Sequence, residues 1–213
     1  MSTFAQRHEP RVITDFVFND PTTETLVAQY AQCKRDGNII LHGPYGTGKS
    51  KLALAIVQTR IGILGSGIFD TYHPSQLARY ARDIDENTFD KIVNGTWAAQ
   101  HSRKGNAYCV IDEIDQLSKP LQQKLRAFMD QWANFGNFIM TTNHVHAIDD
   151  GIRSRSREIE IPLADLSGWQ ARASAILAAE GVTCSTQQLV ELLSSSNGSV
   201  RDILRALEDA CVA

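Results

Sequence analysis

Gly43-Pro44-Tyr45-Gly46-Thr47-Gly48-Lys49-Ser50 is the stretch that decides how this chain reads. The octet fits G-x-x-x-x-G-K-[ST], and its flanks have the character that pattern requires. Asn38-Ile39-Ile40-Leu41-His42 before it reads as a buried strand, and Lys49 to Arg60 after it as a helix. Glycines permit a loop whose backbone N–H groups turn inward around phosphate, and the new helix adds the positive end of its dipole. On this reading Gly43, Pro44, Tyr45, Gly46, Thr47 and Gly48 wrap the phosphates, Lys49 reaches the β and γ phosphates, and Ser50 holds Mg²⁺.

Outward from the loop, further apolar runs continue the strand pattern. Ile61 to Phe69 is the expected second strand, though interrupted by Gly62, Gly65 and Gly67. Ala107 to Ile111 is the third, Asn137 to Thr142 the fourth and Glu158 to Ile161 the fifth. Helical patterns between them predict a parallel α/β sheet covered on both faces, with catalytic groups at the carboxyl ends of the strands. Pro162 closes the fifth strand, and from there Leu166 to Glu180, Thr186 to Ser195 and Val200 to Cys211 are amphipathic helical segments without strands. The expected division is a core over residues 1–163 and a small helical domain over 164–213.

Composition narrows the class. A chain of 213 residues, 43% hydrophobic and 21% charged, matches a folded globular protein and excludes disordered or collagen-like classes. With Lys+Arg 21 against Asp+Glu 24, any nucleic-acid contact has to come from a local basic face. Cys33, Cys109, Cys184 and Cys211 form no C-x-x-C pair, and no segment has the length or flanks of a signal peptide or membrane span, so a reducing, cytoplasmic setting is expected. His144 and His146 lack a third ligand nearby, and Trp97, Trp132 and Trp169 read as packing residues. Arg103-Lys104, Lys119, Lys124 and Arg126 read equally as solvated charge or as a DNA-facing surface. The sequons at Asn94 and Asn197 read as turns or caps.

Two acids follow the third strand in Ile111-Asp112-Glu113-Ile114-Asp115. Asp112 is placed to bind the Mg²⁺ shell and Glu113 to act as general base on water, a pairing suited to hydrolysis. Asn143 ends the fourth strand, where it would position that water or cap a turn. Arg153-Ser154-Arg155-Ser156-Arg157 reads as a solvated basic loop or as a finger offered to a neighbouring subunit. Arg201, at the start of the last helix, reads as a surface partner or a phosphate contact.

The set resembles AAA+ ATPases, and within them the ATPase subunits of sliding-clamp loaders, over most of the chain. Gly43 to Ser50 resembles Walker A and Ile111 to Asp115 Walker B. His8-Glu9-Pro10-Arg11 is similar to the tyrosine-arginine-proline box, with aromatic and arginine replaced. Leu121 to Asp130 resembles the helix spaced A-Q-x-x-L-R-R-x-M-E, whose glutamine corresponds to Gln122 and couples DNA to the site; Ala127 stands in place of its second arginine. Asp150 to Ser156 resembles the E-P-[IL]-x-S-R-C segment, with Gly151 for its proline and Ser156 for its cysteine.

That resemblance implies a three-layer AAA+ core with a helical lid, ATP and Mg²⁺ as ligands, Asn143 as sensor 1, Arg155 as a trans-acting finger and Arg201 as sensor 2. It implies shared sites in a homo- or hetero-oligomer whose partner is DNA or a DNA-replication protein. Clamp-loader subunits continue into a helical collar, whereas this chain stops at Ala213, so assembly is expected through the ATPase ring alone or through another protein. The alternative is a nucleotide-gated adaptor with slow turnover, such as a helicase loader, transposition regulator or phage-defence component. The Asp112-Glu113 pair and the helical lid argue against a small-molecule kinase, and the absence of N-K-x-D argues against a GTPase.

Overall fold

Strand β1 (Asn38–His42) carries the alternation that builds the molecule: Ile40 faces one apolar cluster, while Ile39 and Leu41 face another. The computed structural model describes residues 3–64, 68–72, 107–131, 133 and 136–212. Within them β1, β2 (Ile68–Tyr72), β3 (Ala107–Ile111), β4 (Gly136–Thr142) and β5 (Ser156–Glu160) form one sheet in the order β2-β3-β4-β1-β5, with every pairing parallel. Strands buried on both faces read as continuous apolar runs, which is why β1 and β3 were legible as strands.

Helices cover both faces. On one, α2 (Pro21–Ala31) and α3 (Lys49–Leu64) pack Val27, Leu52 and Ile56 against Ile39, Leu41, Tyr108 and Val110. On the other, α4 (Lys119–Gln131) and α5 (Asp150–Arg153) bring Leu125, Phe128, Met129 and Ile152 onto Ile40, Cys109, Ile111 and Met140. This is the three-layer α/β arrangement expected. Asp20 caps α2 by accepting from Thr22 and Thr23 N–H, with Pro21 following in the first turn.

A third apolar cluster gathers Trp169, Ala173, Leu189, Leu193, Ile203 and Leu207 from α6 (Leu166–Ala179), α7 (Thr186–Ser194) and α8 (Val200–Val212). Phe4, from the short N-terminal helix α1 (Phe4–Arg7), is buried in this same cluster. Arg7 holds Glu180 through two hydrogen bonds of 3.0 Å, and His8 Nε2 lies 2.6 Å from the same carboxylate. The chain passing from β5 to α6 is clasped by Asn19, which donates to Leu163 O (2.6 Å) and accepts from Asp165 N–H (2.9 Å).

One strand expectation needs correction. Ile61 to Leu64 are not strand but the last turn of α3, and β2 begins at Ile68. Helix propagation adds a hydrogen bond for each residue fixed, and a single glycine such as Gly62 is tolerated in a helix for about 1 kcal/mol. β5 runs from Ser156 to Glu160, slightly ahead of the expected Glu158 to Ile161. Trp97, Trp132, Arg103-Lys104 and the Asn94 sequon lie outside the described residues. No described helix is long and apolar enough to cross a membrane.

Candidate active site

The loop between β1 and α3 is bent where glycine is required. Gly43 has φ 142°, and a Cβ built on it would lie 2.2 Å from Ile161 O, so the loop is pressed against the chain leaving β5. Gly46 has φ 77°, and its Cβ would meet Ser199 Oγ at 2.4 Å. Gly46 O also accepts from Arg201 N–H (3.2 Å), which joins the loop to the first turn of α8.

Lys49 is 6% exposed, and its ammonium donates to Gly43 O (2.9 Å) and Pro44 O (2.6 Å). Burial pushes its pKa down to about 8, while Asp112, Asp115 and Glu113 oppose the fall. A cation short of solvent and surrounded by carbonyls gains most when an anion arrives.

Asp112 leaves the carboxyl end of β3 and meets the loop directly. Its Oδ1 accepts from Ser50 Oγ (2.6 Å) and from Thr141 Oγ1. A hydroxyl and a carboxylate in contact form a hard oxygen pair of the kind Mg²⁺ takes, so Ser50 and Asp112 fit that ion. Glu113 sits in the left-handed region, φ 51° and ψ 47°. Its N–H donates to Thr141 Oγ1 (3.1 Å), and its Oε2 accepts from Gln116 Nε2 (2.5 Å). Asn143 follows β4 directly and is half-buried. The next residue, His144, places Nε2 3.1 Å from Tyr45 OH, so the turn after β4 touches the phosphate loop.

A cavity of about 370 Å³ opens beside Gly46, Thr47 and Gly48 and runs between His8-Glu9-Pro10 and the helical cluster, where Trp169 and Arg201 line it. Trp169 is 4% exposed, and its indole N–H has no hydrogen-bond partner among the described residues. A buried donor without an acceptor is costly, and the residue that carries it lines a cavity large enough for a nucleoside.

The structure therefore brings Lys49, Ser50, Asp112, Glu113, Asn143 and the backbone of Arg201 around one loop. Arg155 stands apart. β5 runs parallel to β1 with Asn38 opposite Ser156, and Asn38 Nδ2 donates to Arg155 O, so Arg155 lies at the amino end of the sheet and the phosphate loop at the carboxyl end. Its guanidinium donates to both oxygens of Asp130 (2.6 and 3.0 Å) and to Gly151 O (2.8 Å). Arg153 pairs with Glu158 (2.8 Å). Gln122, buried in α4, donates to Leu117 O (3.0 Å) and accepts from Asp149 N–H (2.7 Å), tying α4 to the turn that leads through α5 to Arg155.

Thr141, Asp130 and Trp169 were missed as site residues. A signal for Thr141 exists in the strand register: Ile111 pairs with Met140, so the next residues along each strand, Asp112 and Thr141, fall side by side.

Residues 39–163 match the ATPase family associated with various cellular activities (AAA). Similar curated proteins include the replication factor C small subunits of Archaeoglobus fulgidus, 26% identical over 97% of this chain and 63% of that protein, and of Sulfurisphaera tokodaii, 26% identical over 98% and 62%. Replication factor C subunit 3 of Oryza sativa subsp. japonica is 21% identical over 99% of this chain and 57% of its own length. The chain thus spans less than two thirds of the length of these relatives. Among solved structures, the RuvB Holliday junction branch migration motor of Thermotoga maritima superposes with a TM-score of 0.70 at 16% identity, covering 97% of this chain and 65% of that one. A RuvB variant from the same organism gives 0.75 at 15% identity over 97% and 65%. At such identities the likeness speaks for the fold.

Proposed function

We propose that this chain, which belongs to the ATPase family associated with various cellular activities (AAA), hydrolyses ATP at sites shared between subunits and couples nucleotide state to assembly on DNA or on a DNA-replication protein. The observation that supports the shared site is the position of Arg155: at the amino end of the parallel sheet it stands away from its own phosphate loop, held there by Asp130, as an arginine meant for the loop of another copy would. The replication factor C names of the relatives support a clamp-loader-like role.

In this reading residues 1–163 are the ATPase core and residues 164–213 the lid. The loop amides and Lys49 hold the phosphates, and the cavity under Trp169 and Arg201 takes the nucleoside. Mg²⁺, held by Ser50 and Asp112, would neutralise charge on the β and γ phosphates. Glu113 takes the proton of the attacking water as the bond from the γ-phosphorus to the bridging oxygen breaks and ADP departs, with Asn143 orienting that water. Arg155 from the neighbouring copy and Arg201 from the lid meet the charge on the transferred group. A finger of this kind is worth about 10³- to 10⁵-fold in rate.

Mixing tests the shared site. Lys49→Ala and Arg155→Ala proteins, each inactive alone, regain turnover when combined at high concentration; failure to regain any removes the shared site. Glu113→Gln binds ATP and traps the assembly, and normal turnover in that variant removes the assigned base. The second reading, a nucleotide-gated adaptor with slow turnover, is favoured by the hold of Asp130 on Arg155. An ATPase assay with and without DNA separates the two.

A further inference from the structure

We propose that Thr141 is a positioning residue for hydrolysis: its one hydroxyl sets the Asp112 carboxylate and the Glu113 backbone at a fixed spacing. The inference rests on the reading above, in which Asp112 holds Mg²⁺ and Glu113 takes the proton.

Thr141 is 2% exposed, at the carboxyl end of β4. A threonine hydroxyl has one proton to donate and lone pairs to accept with, and Thr141 uses both capacities on adjacent residues of the β3 exit. It donates to Asp112 Oδ1 and accepts from Glu113 N–H at 3.1 Å. Asp112 thereby has an orienting donor from β4 that does not depend on Ser50 in the phosphate loop.

The second bond matters because of what it holds. Glu113 is one of three non-glycine residues with positive φ among the described residues. For an L-residue with a long side chain that conformation costs about 1–2 kcal/mol and persists only where the surroundings impose it. Thr141 Oγ1 holds the N–H of Glu113, and Gln116 N–H holds its carbonyl at 2.9 Å, so the peptide units on both sides of the strained residue are fixed. The direction in which the Glu113 carboxylate leaves the chain follows from that backbone. Remove the hydroxyl, and the nominal base remains in sequence but loses its placement.

Thr142 provides an internal control. It is as buried as Thr141, and its hydroxyl makes the same kind of paired contact, donating to Asp115 Oδ1 (2.7 Å) and accepting from His144 N–H (2.9 Å). Loss of a buried hydroxyl as such is therefore common to Thr141→Val and Thr142→Val. Loss of the Asp112–Glu113 spacing belongs to Thr141 alone.

The test compares Thr141→Val, Thr141→Ala, Thr141→Ser and Thr142→Val in the full chain. Three readouts are needed: equilibrium binding of methylanthraniloyl-ATP with Mg²⁺, steady-state kcat and KM, and thermal unfolding. Thr141→Val lowers kcat about 10- to 100-fold, the cost of a misplaced catalytic group. KM and analogue binding change by less than about threefold, and serine, which keeps the hydroxyl, restores most of kcat. Thr142→Val lowers the unfolding temperature to a similar degree and keeps kcat within about threefold of the parent. Thr141→Ala repeats the kcat loss and replaces Thr141→Val if that variant does not fold. The proposal is overturned if Thr141→Val and Thr141→Ala keep kcat, if binding and kcat fall together, or if serine fails to restore. Failure of the parent reading looks different: either the unmodified chain does not hydrolyse ATP, or Glu113→Gln turns over normally.

Discussion

Arg155 and Asp130 are locked together by two parallel hydrogen bonds, 2.6 and 3.0 Å, although 25 residues separate them. The fork of a guanidinium matches a carboxylate in this way better than any other pair of side chains. The pairing holds the Arg155 pKa above its usual value and the Asp130 carboxyl below its usual one. An arginine already matched to an acid must leave it before it can serve a phosphate.

Asp130→Ala is therefore expected to ease assembly. If Arg155 is a finger, the protein concentration giving half-maximal ATPase activity falls about two- to fivefold, the reach of a solvent-exposed ion pair. A concentration series of turnover measures this. A rise in the half-maximal concentration would identify Asp130 instead as support for the finger's working position.

If Lys49 holds the phosphates, ATP affinity is expected to depend on pH. Its pKa is pushed down to about 8 by burial, and a bound triphosphate favours the ammonium form and raises it. The affinity is fully present below the lowered value and is lost as pH rises through and beyond about 8. Calorimetry at pH 8.5 in buffers of different ionisation enthalpy is expected to show proton uptake on binding. The same experiment on Lys49→Ala shows none.

The two loop glycines discriminate between stability and lid placement. In Gly43→Ala the new methyl group meets a backbone carbonyl, so the chain after β5 has to shift, at about 2–3 kcal/mol. In Gly46→Ala the neighbour is a serine side chain that can rotate away, leaving mainly the positive-φ cost of about 1–2 kcal/mol. Thermal unfolding should show the larger loss for Gly43→Ala, while nucleotide titration shows Gly46→Ala weakening binding through its push on Ser199.

Trp169→Phe keeps an aromatic ring and deletes the donor. Because the indole N–H has no partner among the described residues, its loss costs the free protein no hydrogen bond. If nucleotide entry turns the buried indole N–H onto an acceptor, that bond is lost in the variant, about 5- to 10-fold in KM. Unchanged KM in this variant places the base elsewhere in the cavity.

Much of this was legible because it is local. Gly43 to Ser50 is a contiguous octet, and its strand and helix adjoin it. Asp112 and Glu113 follow an apolar run whose residues Tyr108 to Ile111 are buried. What escaped is what tertiary contact decides. Thr141 and Thr142 read as ordinary β-formers until the register of β3 against β4 sets them beside the acids. Phe4 looks like a residue of a polar leading segment, and only the packing of α6 to α8 shows where it is buried. Nothing local to Arg155 names Asp130. The misplaced start of β2 has a different cause: glycine signals at 62, 65 and 67 do not say at which of them a helix stops.

The hydrogen bond from Arg201 N–H to Gly46 O couples the last helix to the glycine-rich loop by main chain alone. α8 cannot tilt or slide without dragging a peptide of the phosphate loop or letting go of it. A substitution that shifts the first turn of α8 is thus expected to reach the loop between β1 and α3 through one main-chain link, without a side-chain change in the loop itself.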